Sequence, residues 1–136
     1  MRMVVTFDFD DTLLELAVKR DADGDIVNVH VTNREKNPRT WPRFLKFLGA
    51  GYDVHIVTSR NENGKKGRAN VEYFLRKWGV LDRLAGVHFT NGKLKKDTLA
   101  MLGSYIHHDD DVKELSNLPD GCEGWKASIH PSWKTK

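Results

Sequence analysis

The sequence predicts an α/β fold with a mainly parallel sheet. Three observations carry this expectation: short apolar runs of strand length recur, amphipathic helical patterns separate them, and acidic or hydroxyl residues follow several runs directly. Each strand, helix, strand step implies a right-handed crossover, because a right-twisted strand feeding a helix packs back onto the sheet only in that sense.

Val4-Val5-Thr6-Phe7 is an almost wholly apolar run cut off by Asp8, the pattern of a central strand covered on both faces. A turn at Asp23-Gly24 followed by the partly alternating stretch Ile26 to Val31 predicts a hairpin over 17–31, too polar for the core. Pro42 opens a helix with Phe44, Leu45, Phe47 and Leu48 on one face and Gly49 and Gly51 at its end. A strand from Tyr52 to Val57 and a polar loop from Asn61 to Gly67 follow. Val71, Phe74, Leu75 and Trp78 then recur at helical spacing up to Gly79, and Val87 to Thr90 reads as a third interior strand. The remaining expectations are a helix from Asp97 to Leu102, a strand from Tyr105 to His108, a short helix from Val112 to Leu115 and a last strand from Trp125 to Ile129.

A chain of 136 residues fits one domain, here residues 1–136, and 39% hydrophobic with 10% aromatic residues supply its core. No apolar run approaches the roughly 18 residues of a membrane span, and Asp8 comes too early for a signal peptide, so a cytoplasmic protein with no membrane partner is expected. Cys122 is the single cysteine, which excludes an internal disulfide and a thiolate zinc cluster. Net charge is +3, with basic clusters at Lys65-Lys66-Gly67-Arg68 and Lys93-Leu94-Lys95-Lys96 that suit a phosphorylated ligand.

In such sheets ligands bind beyond the carboxyl ends of the strands, which singles out Asp8, Thr58, Thr90 and Asp109. Asp8-Phe9-Asp10-Asp11-Thr12 puts two alternating carboxylates and a hydroxyl at one strand exit; a cation would relieve their repulsion, and a cap for the segment Thr12 to Leu16 is the bland alternative. Thr58-Ser59-Arg60 offers hydroxyls, N–H groups and a guanidinium to phosphate oxygens. Asp109-Asp110-Asp111 is either a metal site or a solvated turn, and the repulsion among three carboxylates favours metal.

Asp8-x-Asp10-x-Thr12, Thr58 after an apolar strand, a lysine at Lys95 and Asp109-Asp110 occur in that chain order, and over about Val4 to Leu115 the sequence resembles the haloacid dehalogenase superfamily of phosphatases. The resemblance implies a Rossmann-like three-layer α/β/α sandwich with a small β-hairpin flap at about 17–31 in place of a cap domain. It implies Mg²⁺ held by Asp8, Asp10 (through its backbone carbonyl), Asp109 and Asp110. It further implies catalysis by Asp8 as nucleophile, Asp10 as acid and base, Thr58 and Lys95, with Thr58, Ser59 and Arg60 binding substrate phosphate. Lys96 is the alternative motif lysine, and either Asp109 or Asp110 is the closer metal ligand.

A second carboxylate at Asp10 favours phosphoester chemistry over dehalogenation, because an alkoxide leaving group needs a proton and a halide does not. Between Thr12 and Thr58 there is room for one hairpin and one helix, hence an open site, and Arg60, Lys65, Lys66 and Arg68 surround it with positive charge. The expected substrate is a phosphorylated small molecule, a nucleotide or a nucleic-acid end. Rival readings are a non-catalytic basic nucleic-acid-binding module and a phosphotransferase using the same aspartyl-phosphate. Asp21 to Asp25 lacks the glycine and glutamate positions of an EF-hand, with Gly24 and Thr32 in the wrong places. His107 and His108, as neighbours on a strand, point to opposite faces and read as packing and hydrogen-bonding residues; Trp41, Trp78, Trp125 and Trp133 read as packing residues too.

Overall fold

The computed structural model describes residues 2–16, 19–20, 23, 26–28 and 34–128. In chain order the strands and helices are β1 (Val4–Phe7), β2 (Leu14–Leu16), β3 (Lys19–Arg20), β4 (Ile26–Asn28), β5 (Arg34–Lys36), α1 (Trp41–Gly49), β6 (Asp53–Thr58), α2 (Arg68–Lys77), β7 (Gly86–Phe89), α3 (Lys96–Leu102), β8 (Ser104–Asp109), α4 (Val112–Leu115) and β9 (Glu123–Lys126). A 3₁₀ turn, Leu81–Arg83, leads into β7.

Five strands form the main sheet in the order β7-β6-β1-β8-β9, and all four pairings are parallel. The fold is α/β and Rossmann-like. From β1 the chain steps outward through β6 to β7, then returns to the other side of β1 for β8 and β9. The order therefore reverses between β1 and β8, the crevice where open sheets of this kind take ligands.

β1 is central, as its sequence predicts, with Val5, Thr6 and Phe7 fully buried. The expected third interior strand is instead an edge: β7 pairs only with β6, and its residues are half-buried. On α1, Phe44 and Phe47 are buried but Leu45 is exposed, because Phe44, Phe47 and Leu48 fall within one narrow arc of the helix and Leu45 lies about 100° from Phe44. Gly103, at φ 71°, turns the chain sharply from α3 into β8, a left-handed conformation that costs glycine little.

The flap is deeper than a single hairpin. β3 pairs with β4 inside the expected span, and a separate antiparallel pair, β2 with β5, flanks it in sequence. Leu14–Leu16 is thus strand, which removes the capped-segment alternative for Thr12 to Leu16. Residues 17–18, 21–22, 24–25 and 29–33, and with them most of the Asp21 to Asp25 stretch, lie outside the described residues. So do Ile129, expected in the last strand, and Trp133; β9 itself runs Glu123–Lys126.

The two faces of the sheet differ in chemistry. On one, Val5, Phe7, Val54, Ile56 and Ile106 pack with Phe44 and Phe47 of α1 and Val71 and Leu75 of α2, and the Phe7 and Phe44 rings meet edge-on at 5.1 Å. His108 joins this layer, stacked on Phe7 at 3.8 Å. On the other face Thr6, Ser104 and His107 form a buried polar layer. The β1 to β8 ladder contains an irregularity: Val4 stands opposite Ser104 but Val5 opposite Ile106, so Tyr105 is skipped. Among the described residues no helix is long and apolar enough to cross a membrane.

Candidate functional site

Asp8 is the first residue after β1, Asp109 ends β8, and Asp110 follows it; the two strands meet where Asp8 N donates to the His108 carbonyl at 2.8 Å. The carboxylates of Asp8, Asp109 and Asp110 offer oxygens that all lie within 4.8 Å of one another. Lys95, only 2% exposed, extends its ammonium into this group, with Nζ 2.8 Å from Asp8 Oδ1 and 2.6 Å from Asp109 Oδ2. Glu114 of α4, itself buried, anchors the lysine by accepting from Lys95 N at 3.0 Å. Lys93 and Lys96 are exposed, so Lys95 is the lysine that meets the aspartates.

The loop after Asp8 is wound tightly. Leu13 N and Leu14 N both donate to the Phe9 carbonyl, Asp11 N donates to the Leu14 carbonyl at 2.7 Å, and Asp11 adopts φ 61°, a left-handed conformation that aspartate tolerates better than most residues. This turn brings Thr12 back over the strand end, where its hydroxyl donates to Asp8 Oδ2 at 3.2 Å.

Burial pushes the Asp8 carboxyl well up from its ordinary value, with Lys95 opposing and Asp109 adding to the rise. Burial also works against a charged Lys95, but the Asp8 and Asp109 carboxylates outweigh it and hold the ammonium above the ordinary lysine value. For Asp109 burial is overcome by the His107 hydrogen bond and the Lys95 charge, which keep it ionised well below the usual carboxylate range. Burial, helped by Asp109, raises Asp110 to about 6 against the pull of its contact with Asp8. Three carboxylates face one ammonium, so the cluster retains negative charge. Its all-oxygen donor set fits a hard divalent cation such as Mg²⁺ rather than a thiophilic metal, and the three aspartates could hold one.

Asp10 keeps its carboxylate outside this trio. Arg60 holds it in a two-pronged contact, Nε to Oδ2 at 2.8 Å and Nη2 to Oδ1 at 2.7 Å. Nη1 of Arg60 donates to the Lys66 carbonyl at 2.9 Å and to Asn70 Oδ1 at 2.7 Å. All three guanidinium nitrogens thus have protein acceptors, and Arg60, expected to bind phosphate, meets both oxygens of Asp10. Thr58 is fully buried at the end of β6, where its hydroxyl accepts from Arg60 N at 3.3 Å; Ser59 is exposed beside it. Both stand at the same rim of the sheet as Asp8.

Asp111 proves structural: its side chain caps α4, accepting from Lys113 N at 2.9 Å. Sequence reasoning did not foresee that His107 would touch the acid cluster, yet its Nε2 is 2.8 Å from Asp109 Oδ2. The signal was present in the two-residue spacing, which puts both side chains on one face of a strand. Glu114 and Asn70 carry no comparable signal, since nothing local ties either to the strand ends.

Protein-family models give no match to this chain, and the comparison with curated proteins gives none either.

Proposed function

We propose that the chain is a Mg²⁺-dependent phosphomonoesterase of the haloacid dehalogenase type, working through an aspartyl-phosphate on Asp8. The observation that carries this reading is the buried Lys95 ammonium bridging Asp8 and Asp109, with Asp110 completing a three-carboxylate cluster at the strand reversal.

A carboxylate approaching a phosphate dianion meets repulsion of order 4 kcal/mol per unit-charge pair at ~4 Å and an effective dielectric of ~20. Lys95 offsets part of it. Asp8, Asp109 and Asp110, with the backbone carbonyl of Asp10, would hold Mg²⁺, which when bound supplies further positive charge to the phosphate and keeps Asp8 ionised. Asp8 then attacks phosphorus in line; its bond to phosphorus forms as the ester P–O bond breaks, and Asp10, carrying a proton from solvent on an oxygen that Arg60 has let go, gives it to the departing oxygen. In the second half Asp10 takes a proton from water, which attacks the same phosphorus and frees Asp8. The Thr58 hydroxyl and the Ser59 N–H grip the transferred group, and Arg60 keeps Asp10 aimed.

The substrate is a nucleotide or the phosphorylated end of a nucleic acid, so the leaving alcohol is a nucleoside or a terminal sugar hydroxyl. Supporting this, a groove of about 500 Å³ is lined by Arg34, Glu35, Lys36, Lys77 and Trp78 at the base of the flap, and Arg34 is near enough to Asp11 to lower its carboxyl against the upward effect of burial. Lys65 and Lys66 add exposed charge in the loop behind Arg60.

The test is phosphate release from an aryl phosphate, nucleoside monophosphates and 3′- and 5′-phosphorylated oligonucleotides, with Mg²⁺ and with EDTA. Turnover that needs Mg²⁺ and vanishes in Asp8→Asn is the expected result. Salt-sensitive oligonucleotide binding without turnover identifies a binding module instead. Phosphate passed to an added alcohol in preference to water identifies a phosphotransferase.

A further inference from the structure

We propose that His107 is a positioning residue that fixes the Asp109 carboxylate for metal binding, the last member of a hydrogen-bond chain running beneath the site from Ser104 and Thr6. The inference rests on the metal reading above and goes beyond it by assigning a role to a residue outside the acid cluster.

The chain is continuous and fully buried. Ser104 Oγ lies 2.8 Å from Thr6 Oγ1, Thr6 Oγ1 lies 2.8 Å from His107 Nδ1, and His107 Nε2 lies 2.8 Å from Asp109 Oδ2. Its direction follows from chemistry. An ionised carboxylate only accepts, so Nε2 carries the imidazole proton and Nδ1 is an acceptor. Thr6 has one hydroxyl proton, which goes to Nδ1, so the shorter contact at Thr6 Oγ1 takes the single Ser104 proton in place of the Ile106 carbonyl at 3.1 Å. Every proton in the row points toward Asp109.

Asp109 Oδ2 thereby takes two donors, His107 and Lys95, while Oδ1 takes Asp111 N at 3.0 Å and keeps a lone pair free. The carboxylate plane is fixed from both sides. Without the imidazole, Oδ2 is held by Lys95 alone, which Asp8 shares, and Asp111 N is left to hold Oδ1. His108 shows what a merely packed histidine does on this strand: equally buried, its Nδ1 donates to the Thr6 carbonyl, its Nε2 accepts from the Arg43 guanidinium, and it never reaches the carboxylates.

Partners that orient a ligand typically change metal affinity by about 10–100-fold when removed. Mg²⁺ and Mn²⁺ binding to the full chain, measured by calorimetry, is therefore compared among wild type, His107→Leu, His107→Gln and Thr6→Val, with aryl phosphate kinetics alongside. His107→Leu is expected to weaken binding at least about tenfold, with KM at saturating Mg²⁺ little changed. His107→Gln, which keeps an N–H donor at the Nε2 position, is expected to return affinity to within about threefold of wild type. Thr6→Val, which releases the tautomer, weakens binding in the same direction by a smaller factor. A folded His107→Leu with wild-type affinity overturns the proposal, as does equal loss in the Gln and Leu variants; should His107→Leu not fold, unchanged affinity in Thr6→Val overturns it. Wild type that binds metal but releases no phosphate sinks the phosphatase reading while leaving the role of His107 standing, and wild type that binds neither ion overturns both.

Discussion

Arg60 holds Asp10 by both carboxylate oxygens, at 2.7 and 2.8 Å, although Asp10 is 43% exposed and would otherwise sample several rotamers. A planar fork can do this and a lysine ammonium cannot. Arg60→Lys is therefore expected to lower kcat about tenfold or more on alkyl phosphates, whose leaving groups need the proton, and much less on aryl phosphates. Asp10→Asn should show the same asymmetry more strongly. Equal losses on both ester classes, measured at saturating Mg²⁺, would remove Asp10 from the acid role.

Lys95 and Lys96 are neighbours with opposite fates. Lys95→Met leaves Asp8 and Asp109 buried without their cation, a change that costs about 3–5 kcal/mol in comparable buried pairs. Lys96 is exposed, and Lys96→Ala should stay within about 0.5 kcal/mol of wild type. Urea unfolding in EDTA checks both. Added Mg²⁺ should restore part of the Lys95→Met loss, because an ion that binds only the folded chain stabilises it.

Two glycines separate close packing from open space. A Cβ at Gly67, the residue before α2, would overlap the Glu62 carbonyl oxygen and stand 2.6 Å from that of Asn61, both backbone atoms of the loop that carries Arg60 toward its partners. Gly67→Ala should cost about 1–3 kcal/mol and loosen Arg60 as well. Gly49, the last residue of α1, has nothing within 4 Å of such a Cβ, and Gly49→Ala should add roughly 0.5–1 kcal/mol. Thermal melts of the two variants should move in opposite directions.

Burial pushes the His108 imidazole down to about 3, with Arg43 and His107 contributing and the Thr6 carbonyl opposing. The unfolded chain binds this proton near 6.5 and the native chain does not, so the associated stability is complete above about pH 6.5 and drains away as pH falls toward 3. The slope is roughly 1.4 kcal/mol per pH unit, or about 2 kcal/mol between pH 6.5 and 5. Urea midpoints at pH 7 and 5 should show this loss in wild type and a shallower one in His108→Leu. An unchanged slope would assign the proton uptake elsewhere, for instance to His107, which burial lowers too.

Much of the fold was legible because its signals are local. Apolar runs ending at Asp8, Thr58 and Asp109 marked the three strands that frame the crevice, and Gly79 and Gly103 marked where helices stop. What local pattern does not encode is which strand ends up beside which. Val87 to Thr90 reads as interior because its residues are apolar, yet β7 lies at the edge. The β2 and β5 pair escaped notice for the same reason, since neither three-residue segment alternates long enough to announce a partner some 20 residues away. At the site, the aspartates and Lys95 stood out by type and order. Arg60 stood out as a phosphate donor but its contact with Asp10 did not, and Glu114 and Asn70 did not stand out at all, because these contacts depend on distances set only when α2, α4 and the loops close on the sheet.

The skipped Tyr105 sets the phase of β8 against β1. Were the ladder to run without that skip, Phe7 would face His107 instead of His108, the imidazole now under the carboxylates would turn into the aromatic layer, and Asp109 would be carried one position past Asp8 and onto the wrong side. A single surplus residue at the far end of the strand thus decides, two and three positions later, which histidine serves packing and which serves the acidic rim. Insertions or deletions near Tyr105 should break up the acid cluster while leaving the helices in place.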